Sequence, residues 1–446
     1  MRKLKQIPYF ASLALLAYMP FHIFLSQWLS TYTGGLEVWK VAKDIVLFLF
    51  VLFTICLVWL KGEGKRNKAF NLLVFATAGY AAMHLLIWAA HPGIYSRSAE
   101  IGLIYNMRVP LFAILGFGSV LLLPKFVFSS VIKVILIIST IVAGLGLLQY
   151  VLPAEILTHF GYGIDRGARA VFYIDNNTSL PIRIMATLRE PNALGAYLIL
   201  PTTALVALIM RAKERKSQIK FGAVAAVHLA AIFLTQSRSA LLGVVLSILL
   251  LCWWQYNDWL MAGLRRFWPV LAVLVVAVGI AGFSMRNTSF FQSYVIHGDK
   301  NEATADLDSN DYHALFVKRG LEGIQHEPLG HGPGTAGLAS IQNPKGSFLT
   351  ENYYIQVGYE IGILGLLLFV AINAFIYVLL WTRRKDNPWV FVLLASFWAY
   401  VVTNMLLHTW SSEAVAAQWW ILAGMAIPLA TANKAKKTVK AKSKLA

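Results

Sequence analysis

Phe233-Leu-Thr-Gln-Ser-Arg-Ser-Ala-Leu241 is a short polar break between two apolar runs. The run before the break reaches back to Phe221, and the run after it extends to Trp254. Both runs have the composition of membrane spans, so the guanidinium of Arg238 is expected at or just inside the membrane boundary. A charge costs roughly 2.5–3.5 kcal/mol at the centre of a membrane helix, and such a residue is usually functional or paired.

The rest of the chain repeats this pattern. Of its 446 residues, 58% are hydrophobic and only 13% are charged, and the mean hydropathy is +0.62. Apolar runs of about 18–25 residues recur along the sequence, and each can cross a hydrocarbon core of about 30 Å. The strict alternation of a membrane β-barrel does not occur. We therefore predict an all-α polytopic membrane protein with about twelve transmembrane helices.

The predicted spans form a single transmembrane domain over residues 1–432, followed by a basic cytoplasmic tail over 433–446. The first apolar run is interpreted as a retained span, because it is too long for a typical signal peptide and no small-residue cleavage site follows it. The twelve spans are 9–29, 39–60, 70–90, 101–123, 127–151, 191–210, 221–235, 239–254, 267–285, 352–381, 388–407 and 414–432.

The net charge of +18 comes from basic residues in short loops and in the tail. With the N-terminus inside, every strongly basic short loop falls on the cytoplasmic side, as the positive-inside rule requires. The charge therefore indicates contact with membrane lipids, and no nucleic-acid partner is predicted. Both termini are expected in the cytoplasm, and the long segments 152–190 and 286–350 are expected outside. Cys56 and Cys252 lie in apolar runs without disulfide or metal spacing.

Two outward arginine motifs carry alternative interpretations. Arg183 and Arg189 precede Pro191-Asn192, where a span begins; they are either headgroup contacts beside a capped helix end or ligands of an anion. Arg238 either extends to the interface, pairs with a carboxylate such as Glu190 or Glu360, or binds an anion. Guanidinium matches phosphate in a bidentate manner, so several outward arginines suggest a lipid-linked pyrophosphate.

The second long segment contains the turn-rich stretch Pro328-Leu-Gly-His-Gly-Pro-Gly334. Such a loop can present backbone N–H groups to an anion, and it is expected to bring His331 near a cavity. Gly-Lys-Ser/Thr is missing, so the loop is not a nucleotide-binding loop. The spacing of apolar residues over Tyr312–His326 predicts a helix within this segment.

Five motifs in this order resemble the O-antigen polymerase/ligase superfamily of bacterial membrane glycosyltransferases, over roughly residues 140–380. The motifs are Gly146-Leu-Leu-Gln149, Arg183…Ala-Thr-Leu-Arg-Glu-Pro-Asn192, Leu234-Thr-Gln-Ser-Arg238, His313…Leu321-Glu-Gly-Ile324…Pro328-Leu-Gly330-His-Gly332, and Glu351-Asn-Tyr-Tyr-Ile-Gln…Glu360-Ile-Gly362…Gly365.

The resemblance implies transfer of a glycan from undecaprenyl pyrophosphate onto an acceptor hydroxyl at the outer face of the bacterial plasma membrane. It implies no cofactor, no metal ion and no nucleotide sugar. Arginines would then stabilise the departing pyrophosphate. The residues assigned to catalysis are Glu351, Arg238 and Arg189. The residues assigned to pyrophosphate binding are Arg183, Arg189, Arg238, Arg286 and Arg319, with His313, His331 and Asn352 in support.

The sequence departs from this family pattern at two positions. Lipopolysaccharide ligases of the family typically have His-Asn where this chain has Glu351-Asn352, and a desolvated glutamate can replace histidine as general base. The family often has arginine where this chain has His313, so either Arg319 or His313 itself takes that role. The glutamate favours a polysaccharide polymerase, with a chain-length regulator as a candidate partner. The alternatives are an O-antigen ligase acting on lipid A–core or protein, and a transporter or flippase of anionic lipids.

Overall fold

The structure is a computed structural model that describes residues 3–123, 128–255, 309–344 and 346–428, together with residues 284 and 288. Helix makes up 78% of the described residues, which contain no strand. Ten of the described helices are long and apolar enough to cross a membrane. The chain is therefore an all-α, multi-pass membrane protein, as its apolar runs predict.

We number the helices α1 to α12 in chain order. α1 consists of two α-helices, Ile7–Tyr18 and His22–Thr33, joined and preceded by single 3₁₀ turns. The helices are α1 Leu4–Thr33, α2 Leu36–Leu60, α3 Lys68–Ala90, α4 Ser96–Leu122, α5 Phe128–Val151, α6 Pro191–Arg211, α7 Arg215–Leu234, α8 Arg238–Gln255, α9 Ser309–His326, α10 Tyr353–Arg383, α11 Trp389–Leu406 and α12 Glu413–Ala426.

Ten of the twelve predicted spans coincide with the candidate membrane helices, α1–α8, α10 and α11. The predicted span 267–285 lies outside the described residues, apart from Ser284. The predicted span 414–432 corresponds to α12, which has 14 residues and is too short to qualify as a span. α9 confirms the helix predicted over Tyr312–His326 and begins slightly earlier.

Helix α12 is enclosed by protein and lies along α4. All of its residues from Ala414 to Ala426 are buried. A side chain at Gly116 would collide with the carbonyl of Ile421, and one at Gly424 would collide with the carbonyl of Ala113. The two glycines therefore let the backbones of α4 and α12 approach closely, as small residues do between membrane helices. This packing brings the N-terminus of α12 against the middle of α4.

Helix α10 is broken at Ile361 and Gly362, where Gly362 has φ 72°. The stretch Pro328–Gly334 docks at the break: the N–H of His331 and Gly332 donate to the carbonyls of Tyr359 and Glu360, at 2.9 and 2.8 Å. Because these backbone N–H groups donate hydrogen bonds to carbonyls of α10, they are not presented to an anion. The loop thus completes the backbone hydrogen bonds that the break leaves open.

Candidate active site

A cavity of ≈ 260 Å³ opens at the end of the bundle where α2 and α4 begin. Its walls come from the helices α1, α2 and α4, from Gly167 and Ala168, from the segment 188–196 at the start of α6, from the stretch 338–351 before α10, and from the stretch 407–414 between α11 and α12. Two residues predicted for catalysis, Arg189 and Glu351, line this cavity. They are about 160 residues apart in the sequence, so only the fold brings them to one cavity.

The two arginine motifs are adjacent in the structure. The N–H of Ile184 donates to the carbonyl of Leu234 at 3.2 Å. The Arg183 guanidinium donates to the carbonyl of Thr235 and to Oδ1 of Asn192, both at 2.9 Å. Arg183 therefore joins the start of α6 to the turn that precedes α8.

Arg189 and Arg238 lie beside two helix N-termini. Arg189 precedes α6, and Arg238 is the first residue of α8. In the described part of the chain, the Arg189 guanidinium forms no hydrogen bond and no salt bridge. The positive ends of two helix dipoles and two guanidinium groups make this region favourable for an anion such as phosphate.

Glu351 is held in a strained backbone conformation by the start of α10. Its φ is 50°, in the left-handed region that few residues other than glycine adopt. Gln236 and Ala186, in the arginine motifs, share this conformation with φ of 52° and 51°. Strained backbone of this kind is concentrated at functional sites.

Asn352 positions the neighbouring Glu351. Its Oδ1 accepts a hydrogen bond from the N–H of Ile355 at 3.0 Å and thereby caps α10. Its Nδ2 donates to the carbonyl of Met405 at 2.9 Å, which fixes the start of α10 against the end of α11. Asn352 therefore acts in the structure as a helix cap and a tie between helices.

The Glu351 carboxyl lies in an environment that favours its neutral form. Burial, and then the charge of Glu190, raise the pKa of Glu351 to about 7. His313 Nδ1 lies 3.9 Å from Oε2 of Glu351. Burial and the charge of Arg238 lower the pKa of His313, which favours the neutral imidazole. A carboxyl with a pKa near the operating pH is suited to accept a proton.

His408 joins this group although the sequence analysis did not identify it. Its Nε2 lies 3.2 Å from Oγ1 of Thr350, next to Glu351, and its ring lines the cavity. Burial and the neighbouring His313 lower the pKa of His408 to about 4. No motif distinguishes this histidine in the sequence, because its partners belong to a different part of the chain.

The remaining predicted residues are not gathered around Glu351. Arg319 is exposed on α9, about 120° around the helix from His313 at 100° per residue. His331 stacks on Tyr359 at 3.8 Å between ring centroids and lies 3.7 Å from the Glu327 carboxylate. Arg286 lies outside the described residues. The geometry thus places His313, and not Arg319, beside Glu351.

The comparison with known families agrees with this geometry. Residues 221–370 match the family model described as O-antigen ligase. We call this matched segment the O-antigen ligase domain. The match confirms the resemblance inferred from the motifs, and the family indicates glycan transfer of the O-antigen ligase/polymerase type. No curated protein matches the chain.

The O-antigen ligase domain includes only part of the cavity wall. It begins within α7, covers α8 and α9, and ends within α10, so it contains Arg238, His313 and Glu351. Arg183 and Arg189 precede it. The cavity walls contributed by α1, α2, α4 and the 407–414 stretch also lie outside the matched residues.

Four charged residues of the helices were not among the predicted site residues. Lys43 and Asp44 on α2, Arg108 on α4 and Glu413 at the start of α12 all line the cavity. Their signal was present in the sequence, because charged residues inside apolar runs are costly and usually functional. Three of them, Lys43, Asp44 and Arg108, lie in the predicted spans 39–60 and 101–123, where no role was assigned to them.

Proposed function

We propose that this protein is a polysaccharide polymerase that transfers a glycan from undecaprenyl pyrophosphate onto a hydroxyl of an acceptor glycan at the outer face of the bacterial plasma membrane. The observation that carries the proposal is the Glu351 carboxyl, whose pKa is raised to about 7 at a cavity that Arg189 also lines. A proton acceptor and a phosphate ligand at one cavity are what such a transfer requires.

In the proposed reaction, Glu351 removes the proton from the acceptor hydroxyl as its oxygen attacks the anomeric carbon of the donor sugar. The bond between that carbon and the pyrophosphate oxygen breaks, and undecaprenyl pyrophosphate leaves with the bonding electron pair. Arg189 and Arg238, beside the N-termini of α6 and α8, stabilise the charge that develops on the leaving oxygen. His313 lies 3.9 Å from Glu351, and its lowered pKa favours the neutral imidazole, which does not lower the pKa of the base. Independence from metal ions stays a prediction.

The distribution of basic residues supports an outward-facing cavity. The cavity lies where α2 begins, whereas the basic loops lie at the opposite end of the bundle, after α2, α6 and α10. These loops carry Lys61, Lys65, Arg66, Lys68, Arg211, Lys213, Arg215, Lys216, Lys220, Arg383, Arg384 and Lys385. By the positive-inside rule that end faces the cytoplasm, and the cavity faces outside.

Cysteine labelling tests this orientation. Ser347→Cys and Lys216→Cys introduce thiols at exposed positions near the cavity and in a basic loop, respectively. In a background with Cys56 and Cys252 replaced by alanine, a membrane-impermeant maleimide is expected to label Ser347→Cys in intact spheroplasts. Labelling of Lys216→Cys is expected only after permeabilisation. The reverse pattern would place the cavity in the cytoplasm and contradict the proposal.

The surface glycan separates a polymerase from a ligase. In a strain that carries Glu351→Gln as its only copy, a polymerase defect leaves single repeat units still attached to the cell surface. A ligase defect leaves long chains on the lipid carrier. We expect the first pattern in gel analysis of surface and lipid-linked glycan, with Glu322→Gln on exposed α9 as control. An unchanged glycan ladder would remove Glu351 from the mechanism.

The break in α10 does not favour the transporter alternative. Transporters use broken helices to expose backbone groups to a substrate. Here the break at Ile361–Gly362 is filled by the Pro328–Gly334 loop, and the Glu360 carboxylate beside it accepts hydrogen bonds from Asn106 Nδ2 and from the N–H of Gly334. Neither Ile361 nor Gly362 lines the cavity.

A further inference from the structure

The charged and polar residues at the inner part of the cavity form a group that the proposed chemistry does not use. We call this group, His22, Lys43, Asp44, Arg108, Ser411 and Glu413, the cavity floor. Arg108 lies twelve residues into α4, roughly 18 Å along the helix at 1.5 Å per residue. The floor is therefore deep within the bundle, in contrast to Glu351 at the start of α10.

The charges of the floor balance each other. Arg108 donates from Nε and Nη2 to the two carboxylate oxygens of Asp44, each at 2.8 Å. Lys43 Nζ donates to Asp44 Oδ2 at 3.1 Å. With Glu413 the floor holds two cations and two carboxylates. A phosphate group gains little from such a neutral group, and an apolar chain would leave buried charges without hydrogen bonds.

The hydrogen-bonding capacity of the floor is nevertheless incomplete. Within the described residues, four buried atoms that belong to cavity-lining side chains have no hydrogen-bond partner: His22 Nε2, Arg108 Nη1, Thr409 Oγ1 and Ser411 Oγ. The side chains of His22 and Arg108 are only 0% and 4% exposed. Buried polar atoms in native proteins are nearly always satisfied, so these atoms indicate a polar occupant.

The spacing around Glu413 describes that occupant. Its Oε2 lies 3.7 Å from Arg108 Nη1, and its Oε1 lies 3.8 Å from His22 Nε2. Both separations are too long for direct hydrogen bonds. A hydroxyl group both donates and accepts, so it can accept from Arg108 and donate to Glu413 at the same time. Several hydroxyls on one rigid ring would satisfy the donors and acceptors of the floor together.

We propose that the cavity floor is a binding subsite for a sugar residue, in which hydroxyl groups bridge Arg108, Glu413 and Ser411. This inference rests on the proposed function, because the sugar belongs to either the donor or the acceptor of the transfer. The residues that carry it lie outside the matched O-antigen ligase domain. The floor would therefore recognise the glycan, and the matched domain would carry Glu351 and Arg238.

The test measures sugar binding separately from turnover. The probe is the repeat-unit oligosaccharide released by mild acid from the lipid-linked intermediates of the producing cell. Its affinity for the full-length protein in nanodiscs is measured by calorimetry. We expect binding to weaken about tenfold or more in Glu413→Gln, which replaces a charged acceptor with a neutral amide, and about threefold in Ser411→Ala, which removes a buried hydrogen-bond partner of a hydroxyl.

Gln418→Leu is the matched control. Gln418 lies on α12 like Glu413, is buried and has side-chain atoms without partners, but it does not line the cavity. Its replacement is expected to change affinity less than about twofold. Ser411→Ala removes a single oxygen atom, so it tests the floor even if Glu413→Gln impairs folding.

Kinetics identify the source of the sugar. If the floor holds the acceptor, Ser411→Ala raises KM for the free oligosaccharide acceptor and leaves KM for the lipid-linked donor unchanged. If it holds the donor sugar, the opposite change is expected. Lower thermal stability and lower kcat with both KM values and the affinity unchanged would show a structural ion cluster and overturn the inference.

The outcomes also separate this inference from the proposed function. A wild-type protein that converts the lipid-linked donor while the floor variants keep wild-type affinity overturns the subsite and leaves the transferase intact. A protein that binds the oligosaccharide through the floor but converts no donor overturns the transferase alone. If the wild-type protein binds no oligosaccharide, the floor holds water only and the inference is wrong.

Discussion

Glu351→Gln is expected to reduce kcat for glycan transfer by about 10²–10⁴-fold, the range that a positioned general base contributes. The amide has nearly the shape of the carboxylate but cannot take the proton. In the wild-type protein, kcat is expected to rise with pH through about 7, because burial and Glu190 raise the pKa of Glu351 to about 7 and only the deprotonated form acts as base. Single-turnover assays with a lipid-linked donor across this pH range measure both effects.

Thermal stability provides an independent measurement of the same carboxyl. The pKa of Glu351 is raised from 4.5 to about 7, so the folded state binds this proton more tightly than the unfolded state. The resulting stabilisation is complete below pH 4.5 and is lost as the pH rises through about 7. Glu351→Gln is therefore expected to denature at a higher temperature than the wild type at about pH 8, and at a similar temperature below about pH 5.

Two controls make this prediction specific. Glu322→Gln removes a carboxylate from the exposed face of α9 and is expected to leave the pH profile unchanged. His313→Gln examines the neighbour of Glu351 at 3.9 Å. If Glu351→Gln retains the wild-type pH profile and His313→Gln loses it, the base is His313 and the assignment of Glu351 is wrong.

Arg238→Lys is expected to reduce kcat by about 10²–10³-fold, comparable to the loss of one charge-stabilising donor in an active site. Lysine keeps the positive charge at the start of α8 but cannot form two parallel hydrogen bonds to a phosphate group. Because the charge on the leaving oxygen develops during the reaction, kcat should fall more than KM for the donor rises. Full activity in this variant would exclude bidentate phosphate binding by Arg238.

Arg169→Lys is the matched control for this substitution. Arg169 lies in the segment 152–190, is exposed and donates to Oδ1 of Asn176 at 3.2 Å. It is not among the residues that line the cavity. The same change of guanidinium to ammonium is expected to leave kcat and KM within about twofold of the wild type. An equal loss in both variants would indicate a general effect of arginine on the outer segments.

Local sequence patterns were sufficient to predict most of the helices and to select candidate site residues in three segments of the chain. Apolar length identified the ten membrane helices, and motif order selected Arg189, Arg238 and Glu351 as candidates, of which Arg189 and Glu351 line the cavity. The same patterns predicted a full span over 414–432 and could not show that α12 is a shorter helix enclosed by protein, because such a helix has the apolar composition of a span. They also gave no reason to choose between His313 and Arg319, since that choice depends on which face of α9 meets Glu351.

The sequence by itself determined the membrane class, the number and order of most helices, and the residue types available for phosphate and proton chemistry. These properties follow from hydropathy and from local motifs, which act over a few turns of chain. Only the tertiary structure placed His408 beside Glu351 and brought Glu413 to the other residues of the cavity floor. The reason is physical: the contact of α4 with α12 depends on backbones that meet at Gly116 and Gly424, about 300 residues apart in the chain. No local pattern encodes such a contact, and the charged residues that it brings together form the proposed sugar subsite.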